Sequence, residues 1–381
     1  MINTKELLNK TERILKNNIY PIDKKYPWYP YRMVCPDKGF FPGIWNWDSA
    51  FHAIGFLDID KEIAKEQILG FTSFQRESDG IFPDLIAYSD GLVNQVSEQY
   101  PDNFIEFHYT KPPVMADAAW QVYEGTKDLD FLKTVFPRLV KNEKFWVNYR
   151  FKDGLFHYDA ETCEGERMRK IWVGYESGMD NSPRWDDAHY AYFAIDLNCY
   201  MVTMYRALKN MAQILGEDTK EFEEKEIKLI DNINTRLWDS DKGIYNDFNF
   251  EKGIFADVLT PVCFIPLYIG IASKERAESC HKVAKEKFTP GMPTVAYDHE
   301  SYCLDYWRGP CWLNLAYFAA KGLKNYGFLE TANKIKETIL MWVQNDGKFV
   351  HENYDAKTGE GLCQENFSWS CVFVRKFILD F

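Results

Sequence analysis

The sequence predicts an all-α chain folded as an (α/α)6 barrel, six helical hairpins in a toroid, with short β-hairpins in the loops. Three observations predict it. About twelve segments carry apolar residues at helical spacing with polar breaks between them. Strand-like stretches are few and short, such as GIFPDLIAY and GLFHYD. No linker, low-complexity tract or long charge run interrupts the 381 residues, which reads as one domain over 1–381. An irregular helical bundle is the competing arrangement.

The helical segments fall at roughly 4–17, 47–58, 61–76, 113–126, 129–150, 191–215, 218–237, 260–272, 273–286, 309–324, 326–345 and 366–379. The stretch YFAIDLNCYMVTMYRALKNMAQILG repeats its apolar residues every three or four positions and stops at Gly216. In a toroid, inner helices are apolar on most sides and outer helices are amphipathic. The loops at one end then form a funnel, and the polar–aromatic segments of this chain fall between helices, where function usually sits.

Composition narrows the partners. The net charge of −12 argues against nucleic acid or an anionic membrane surface, both of which need a basic footprint. No run of about 18 apolar residues is present, and the opening MINTKELLNKTERILKNN lacks the apolar core of a secretory signal. The nine cysteines are scattered from Cys35 to Cys371 without a CxxC pair, and read as reduced, mostly buried thiols of a cytoplasmic protein. The aromatic share of 17% is high. Most of it suits a large helical core, but aromatics among polar residues in Gly/Pro-rich segments suit the faces of sugars.

Several chemistries lack their motifs. There is no GxSxG, GxxxxGK[ST] or HExxH, the seven histidines are dispersed, and TGEGLCQ does not complete a dinucleotide fingerprint. DSDKGIYND at 239–247 has its glycine misplaced for a calcium loop and reads as a turn between two short strands. No metal and no cofactor is expected.

Carboxylates in aromatic, glycine-containing surroundings remain. Glycosidic cleavage needs two: one protonated, to donate to the leaving oxygen, and one ionised, to activate water or attack carbon. Asp180 in YESGMDNSPRW is the first candidate; Tyr175 and Trp185 nearby would reduce its solvation and raise its pKa. The same string also suits a simple turn. Glu352 in VHENYDAKTGEG is the second, against a solvated loop glutamate. Glu365 in CQENFSWS is the third, against a charge at a helix N-terminus. Asp48 in WNWDSAFHA would accept a sugar hydroxyl beside Trp47, or would cap a helix.

Taken together, these segments resemble the clan that contains the trehalases and glycoside hydrolase family 63, with its processing α-glucosidases and its mannosylglycerate and glucosylglycerate hydrolases. ESGMDNSPRW is similar to the ESGWD-type motif that carries the general acid, which places that role on Asp180. HENYDAKTGEG is similar to the E-x-Y-[DN] segment of the general base, which places it on Glu352 and leaves Glu365 as the alternative. NFSWS resembles the clan's closing motif, with Glu365 near a sugar-contacting acid. FPGIWNWDSAFHA resembles the segment lining the glycone pocket, implying Phe41, Trp47 and Asp48. DYWRGPCWLNL resembles a YWRGPxWxN segment, implying Trp307, Arg308 and Trp312. The matches run in order from about residue 40 to 379. They imply the (α/α)6 barrel and inversion of configuration.

The chain departs from trehalases twice. Phe40 stands where they carry an arginine before the pocket phenylalanine, and HYTKPPV stands for their RSQPP segment, so that Lys111 replaces a glutamine. Both departures point toward family 63. Lys111 in the pocket would imply an anionic group on the substrate, such as glycerate; the alternative is a lysine facing solvent. The expected substrate is a small α-linked glycoside. Two other readings use the same scaffold: a sugar isomerase or epimerase, which would rely on histidine, of which only His351 adjoins a candidate, and a carbohydrate-binding relative without catalysis. Phosphorolysis is a further variant.

Overall fold

The computed structural model describes residues 2–22, 29–41, 43–87, 105–160, 166–187 and 191–381. Helices dominate, and their burial sorts them into two kinds. In α2 (Asn46–Phe56) every residue except Ile54 is buried. The helices α4 (Met115–Thr126), α7 (Ile195–Leu215), α11 (Leu313–Asn325) and α13 (Ser368–Leu379) are also buried around much of their circumference. By contrast, α8 (Lys220–Arg236) buries only Phe222, Glu226, Leu229 and Ile233, a single stripe at helical spacing. The helix α10 (Lys274–Lys287) buries Ala277, Cys280, Val283 and Ala284 in the same manner. Helices α1 (Thr4–Asn17), α3 (Lys61–Thr72), α5 (Leu129–Arg150) and α12 (Leu329–Asn345) complete the one-sided set.

The packing order follows from this sorting. Helix α2 packs on α4, α4 on α7, α7 on the short α9 (Ile265–Tyr268), α9 on α11, α11 on α13, and α13 back on α2. The one-sided helices lie against this closed sequence: α3 on α2, α5 on α4, α8 on α7, α12 on α11 and α1 on α13. One apolar cluster runs through all of them, from Leu7 to Phe377. The remaining helix, α6 (Glu166–Ser177), leads into the loop that carries Asp180.

Sequence periodicity located most of these helices within a few residues. It missed α6, whose charged start ERMRK hides the apolar Ile171, Trp172 and Val173. The helix expected over 260–272 is broken into a 3-10 turn (Pro261–Phe264) and the four-residue α9, because Pro261 and Pro266 remove donors and Gly270 turns the chain at φ +74°. The string at 239–247 is the expected turn, joining the short strands Trp238–Asp239 and Ile244–Tyr245 with Gly243 at φ +64°. GIFPDLIAY contributes the strand Leu85–Ala87, the middle strand of a small sheet with Gly43–Trp45 and Ile105–Glu106. The described cysteines form no disulfide, and all but Cys303 and Cys363 are buried. Among the described residues no helix is long and apolar enough to cross a membrane.

Candidate active site

The N-terminal ends of α2, α11 and α13 converge on an open cavity of about 470 Å³. Phe41, Trp47, Asp48, Lys111, Asp180, Trp307, Trp312 and Glu352 all line it, so segments spread over more than 300 positions meet in one place. Aromatic rings make most of its wall. Trp307 and Trp312 stack with centroids 3.8 Å apart and planes 9° from parallel. Trp369, from the first turn of α13, meets Trp47 edge-on at 4.8 Å. These faces exclude water and offer flat apolar surfaces to a ring such as a sugar.

Asp180 stands on the turn after α6. Gly178 adopts φ +71°, and a Cβ there would lie 2.4 Å from Trp47, so the turn and the pocket wall require glycine together. Ser177 Oγ donates to Gly174 O and accepts from Met179 N and Trp185 Nε1, which fixes the turn from inside. Arg184 holds its far end with a buried fork onto Asp196 and Asp247. The Asp180 side chain keeps 28% of its exposure. Burial of the carboxyl raises its pKa above the ordinary range, and the charge of Lys111 opposes that rise.

Glu352 lines the same cavity from the residue just before the short strand Asn353–Tyr354. Its backbone N–H donates to Gln364 O at 2.8 Å, Ser370 Oγ donates to its carbonyl, and Tyr306 donates its hydroxyl to Oε1 at 2.9 Å. Burial pushes the Glu352 carboxyl up to about 7; the Tyr306 hydroxyl pulls it down, and Asp180 adds to the rise. Asp48 occupies the first turn of α2 without capping it, since Trp45 is the cap residue and contributes no side-chain bond. Burial raises Asp48 to about 8, against the pull of Lys111. A carboxyl in that state both donates and accepts, which suits a sugar hydroxyl.

One alternative falls away, and two expected site residues lie outside this lining. Lys111 does not face solvent: its side chain is 8% exposed and lies among Asp84, Asp180 and the carbonyl of Tyr175. Arg308 does not line the cavity; it forks onto Asp186 and donates to Asn181 O, and it borders an adjoining cavity of about 1330 Å³ that also touches Asp180, Tyr306 and Cys363. Glu365 is exposed and absent from the lining, because the chain at Asn366 turns through φ +56° before Phe367 enters the wall. The segments expected to form the pocket also contained residues not singled out from sequence. Tyr306 lies within DYWRGP, Trp45 within FPGIWNWD, and Phe367 and Trp369 within NFSWS. His351 is bonded through Nδ1 to Asp346 at 2.6 Å and does not line the cavity. Among the described residues no group of three or more His, Cys, Asp or Glu side chains could hold a metal ion.

Comparison with known proteins identifies the family. Residues 41–370 match the family described as the mannosylglycerate hydrolase MGH1-like glycoside hydrolase domain. The chain is 24% identical to a mannosylglycerate hydrolase of Rubrobacter radiotolerans, over 91% of this chain and 92% of that one. It is 26% identical to the mannosylglycerate hydrolase of Thermus thermophilus, over 88% and 94%. A crystal structure of a family 63 mannosylglycerate hydrolase from Thermus thermophilus in complex with Tris and D-glycerate superposes with a TM-score of 0.81 at 23% identity, covering 97% of this chain and 98% of that one. The neutral trehalase of Saccharomyces cerevisiae shares the fold with a TM-score of 0.70 at 17% identity, over 97% and 79%. A family match across the whole span 41–370, which holds every carboxylate of the cavity, leaves one assignment: the chain belongs to the MGH1-like glycoside hydrolases of family 63.

Proposed function

We propose that this protein is an inverting hydrolase of a small α-linked glycoside, of the mannosylglycerate, glucosylglycerate or α-glucosidase type. Asp180 is the general acid and Glu352 the general base. The observation that carries the reading is the presence of both carboxyls in the lining of one aromatic cavity, in unlike surroundings. Asp180 adjoins the larger cavity, where a leaving group has room, and Glu352 sits behind Tyr306. In the proposed step Asp180 gives its proton to the glycosidic oxygen as the C–O bond breaks. Glu352 takes a proton from a water that attacks the anomeric carbon from the other face. Asp48, Trp47, Trp307 and Trp312 hold the glycone. The closed sequence of six inner and six outer helices reads as an (α/α)6 barrel forming one catalytic domain.

The test is a screen of purified protein against mannosylglycerate, glucosylglycerate, trehalose, kojibiose, nigerose and maltose, with the released anomer followed by NMR. Release of the β-anomer from an α-linked substrate supports inversion and names the glycone. First release of the glycone as the α-anomer overturns inversion; from trehalose, whose leaving glucose keeps its α configuration, inversion gives the two anomers in equal amounts. An isomerised free sugar or phosphate-dependent cleavage would replace hydrolysis with another chemistry.

A further inference from the structure

We propose that Lys111 is a positioning residue for the acid, its ammonium group holding the Asp180 carboxyl toward the cavity with Asp84 braced behind it, instead of a ligand for the substrate. The proposal rests on the reading of Asp180 given above. An ammonium group has three hydrogens. One goes to the carbonyl of Tyr175 at 2.5 Å. The other two face Asp84 Oδ1 at 3.4 Å and Asp180 Oδ1 at 3.7 Å. An anionic substrate group would have to displace one of these partners. Asp84 is the deeper of the two acids, its side chain 4% exposed against 28% for Asp180, so Lys111 is anchored from inside and meets the acid from behind.

The chemistry gives this arrangement a purpose. When Asp180 delivers its proton it becomes a carboxylate, and the fixed positive charge of Lys111 stabilises that new negative charge as it forms. An interaction that strengthens along the reaction speeds it. Lys111 keeps its own proton throughout: burial alone would lower its pKa, but Asp84, Asp180 and Asp48 outweigh burial and hold it above the ordinary lysine value. The titratable groups clustered around Lys111 and Asp180 are Asp84, Asp48, Tyr175, Tyr306 and Glu352, and among the described groups of this cluster Lys111 is the cation, which favours the ionised form of Asp180. Lys111 thus opposes the rise that burial imposes on Asp180.

The experiment compares wild type, Lys111→Gln and Lys111→Arg by the pH profile of kcat/KM. The Asp180 carboxyl is titrated in parallel by ¹³C NMR of aspartate-labelled protein, assigned with Asp180→Asn. In Lys111→Gln the alkaline limb and the Asp180 titration both move up by about one pH unit or more. The kcat falls roughly tenfold or more while KM changes little, and Lys111→Arg retains most of both. Asp84→Asn, which removes a negative charge from the same cluster, moves the Asp180 titration down and serves if Lys111→Gln does not fold. An unmoved Asp180 titration overturns the proposal, whether kcat falls or not. So does a tenfold rise in KM confined to acidic glycosides. If wild-type protein hydrolyses nothing, the functional reading fails, while the NMR titration still decides the role of Lys111.

Discussion

Tyr306 donates its hydroxyl to Glu352 Oε1 at 2.9 Å from a backbone at φ +51°, a left-handed conformation that a tyrosine adopts at a cost. Trp312 Nε1 donates to the Tyr306 carbonyl and the Trp312 ring lies edge-on to the phenol, so the strained residue is held from two sides. The bond favours the ionised carboxylate and offsets part of the rise that burial imposes on Glu352. Tyr306→Phe therefore raises the Glu352 pKa further above about 7. Since a base must be ionised, the acidic limb of kcat/KM moves to higher pH, by about one unit. A pH profile of the two proteins checks this; a drop in rate at every pH with the limb unmoved would count against the bond's part in catalysis.

Arg308 and Asp186 form a forked ion pair at the rim of the larger cavity, and the same guanidinium donates to Asn181 O beside Asp180. The pair is partly exposed, so its direct worth to stability is below about 1 kcal/mol. Its effect on the turn that carries Asp180 should be larger. Arg308→Gln and Asp186→Asn are each expected to lower kcat about tenfold, on neutral and acidic glycosides alike, with little further loss in the double variant. A loss confined to acidic glycosides would make Arg308 a substrate contact.

The parts of this architecture written in local sequence were legible, and the parts settled by tertiary partners were not. The stripe of α5 over Leu129–Arg150 was readable because periodicity and the Asp128 cap both lie within the segment. Asp180 and Glu352 stand in strings whose glycine and aromatic content marks them. Arg308 stands in such a string too, but a guanidinium takes whichever carboxylate the fold brings near, and Asp186 lies 122 positions away. Asp84 shows in the sequence only as part of a strand-like stretch, since its tie to Lys111 joins two loops. Tyr306 is not legible in the sequence, because nothing local distinguishes a hydroxyl that meets Glu352 from another ring in an aromatic wall.

Asp48 carries a stability consequence. Its folded pKa of about 8 lies above the ordinary 3.8, so the folded state holds a proton that the unfolded state releases. Stability is therefore lost as pH rises from about 4 to about 8, and is level above that. Asp48→Asn removes the titration and keeps the shape. The variant should match wild type in Tm near pH 4, exceed it increasingly up to pH 8, and bind the glycone more weakly. Thermal unfolding across that range checks it; an equal Tm difference at all pH values would mean that Asp48 is not the titrating group.

The choice between Glu352 and Glu365 rests on placement. Glu352 is 2% exposed, lines the aromatic cavity and accepts from Tyr306, whereas Glu365 is exposed and outside the lining. A general base must reach the attacking water directly, and its loss removes a contribution of about 10²–10⁴. Glu352→Gln is thus expected to lower kcat about a thousandfold with the fold unchanged, and Glu365→Gln to lie within a few-fold of wild type. Asp180→Asn should resemble Glu352→Gln on ordinary glycosides. It should lose less on substrates with an activated leaving group, such as glycosyl fluorides, whose departure needs less help from a proton. Azide or formate, small anions that replace a missing carboxylate, should restore turnover in Glu352→Gln and leave Glu365→Gln unaffected. The reverse pattern in the two glutamine variants would transfer the base to Glu365 and require the loop over 361–367 to refold over the substrate.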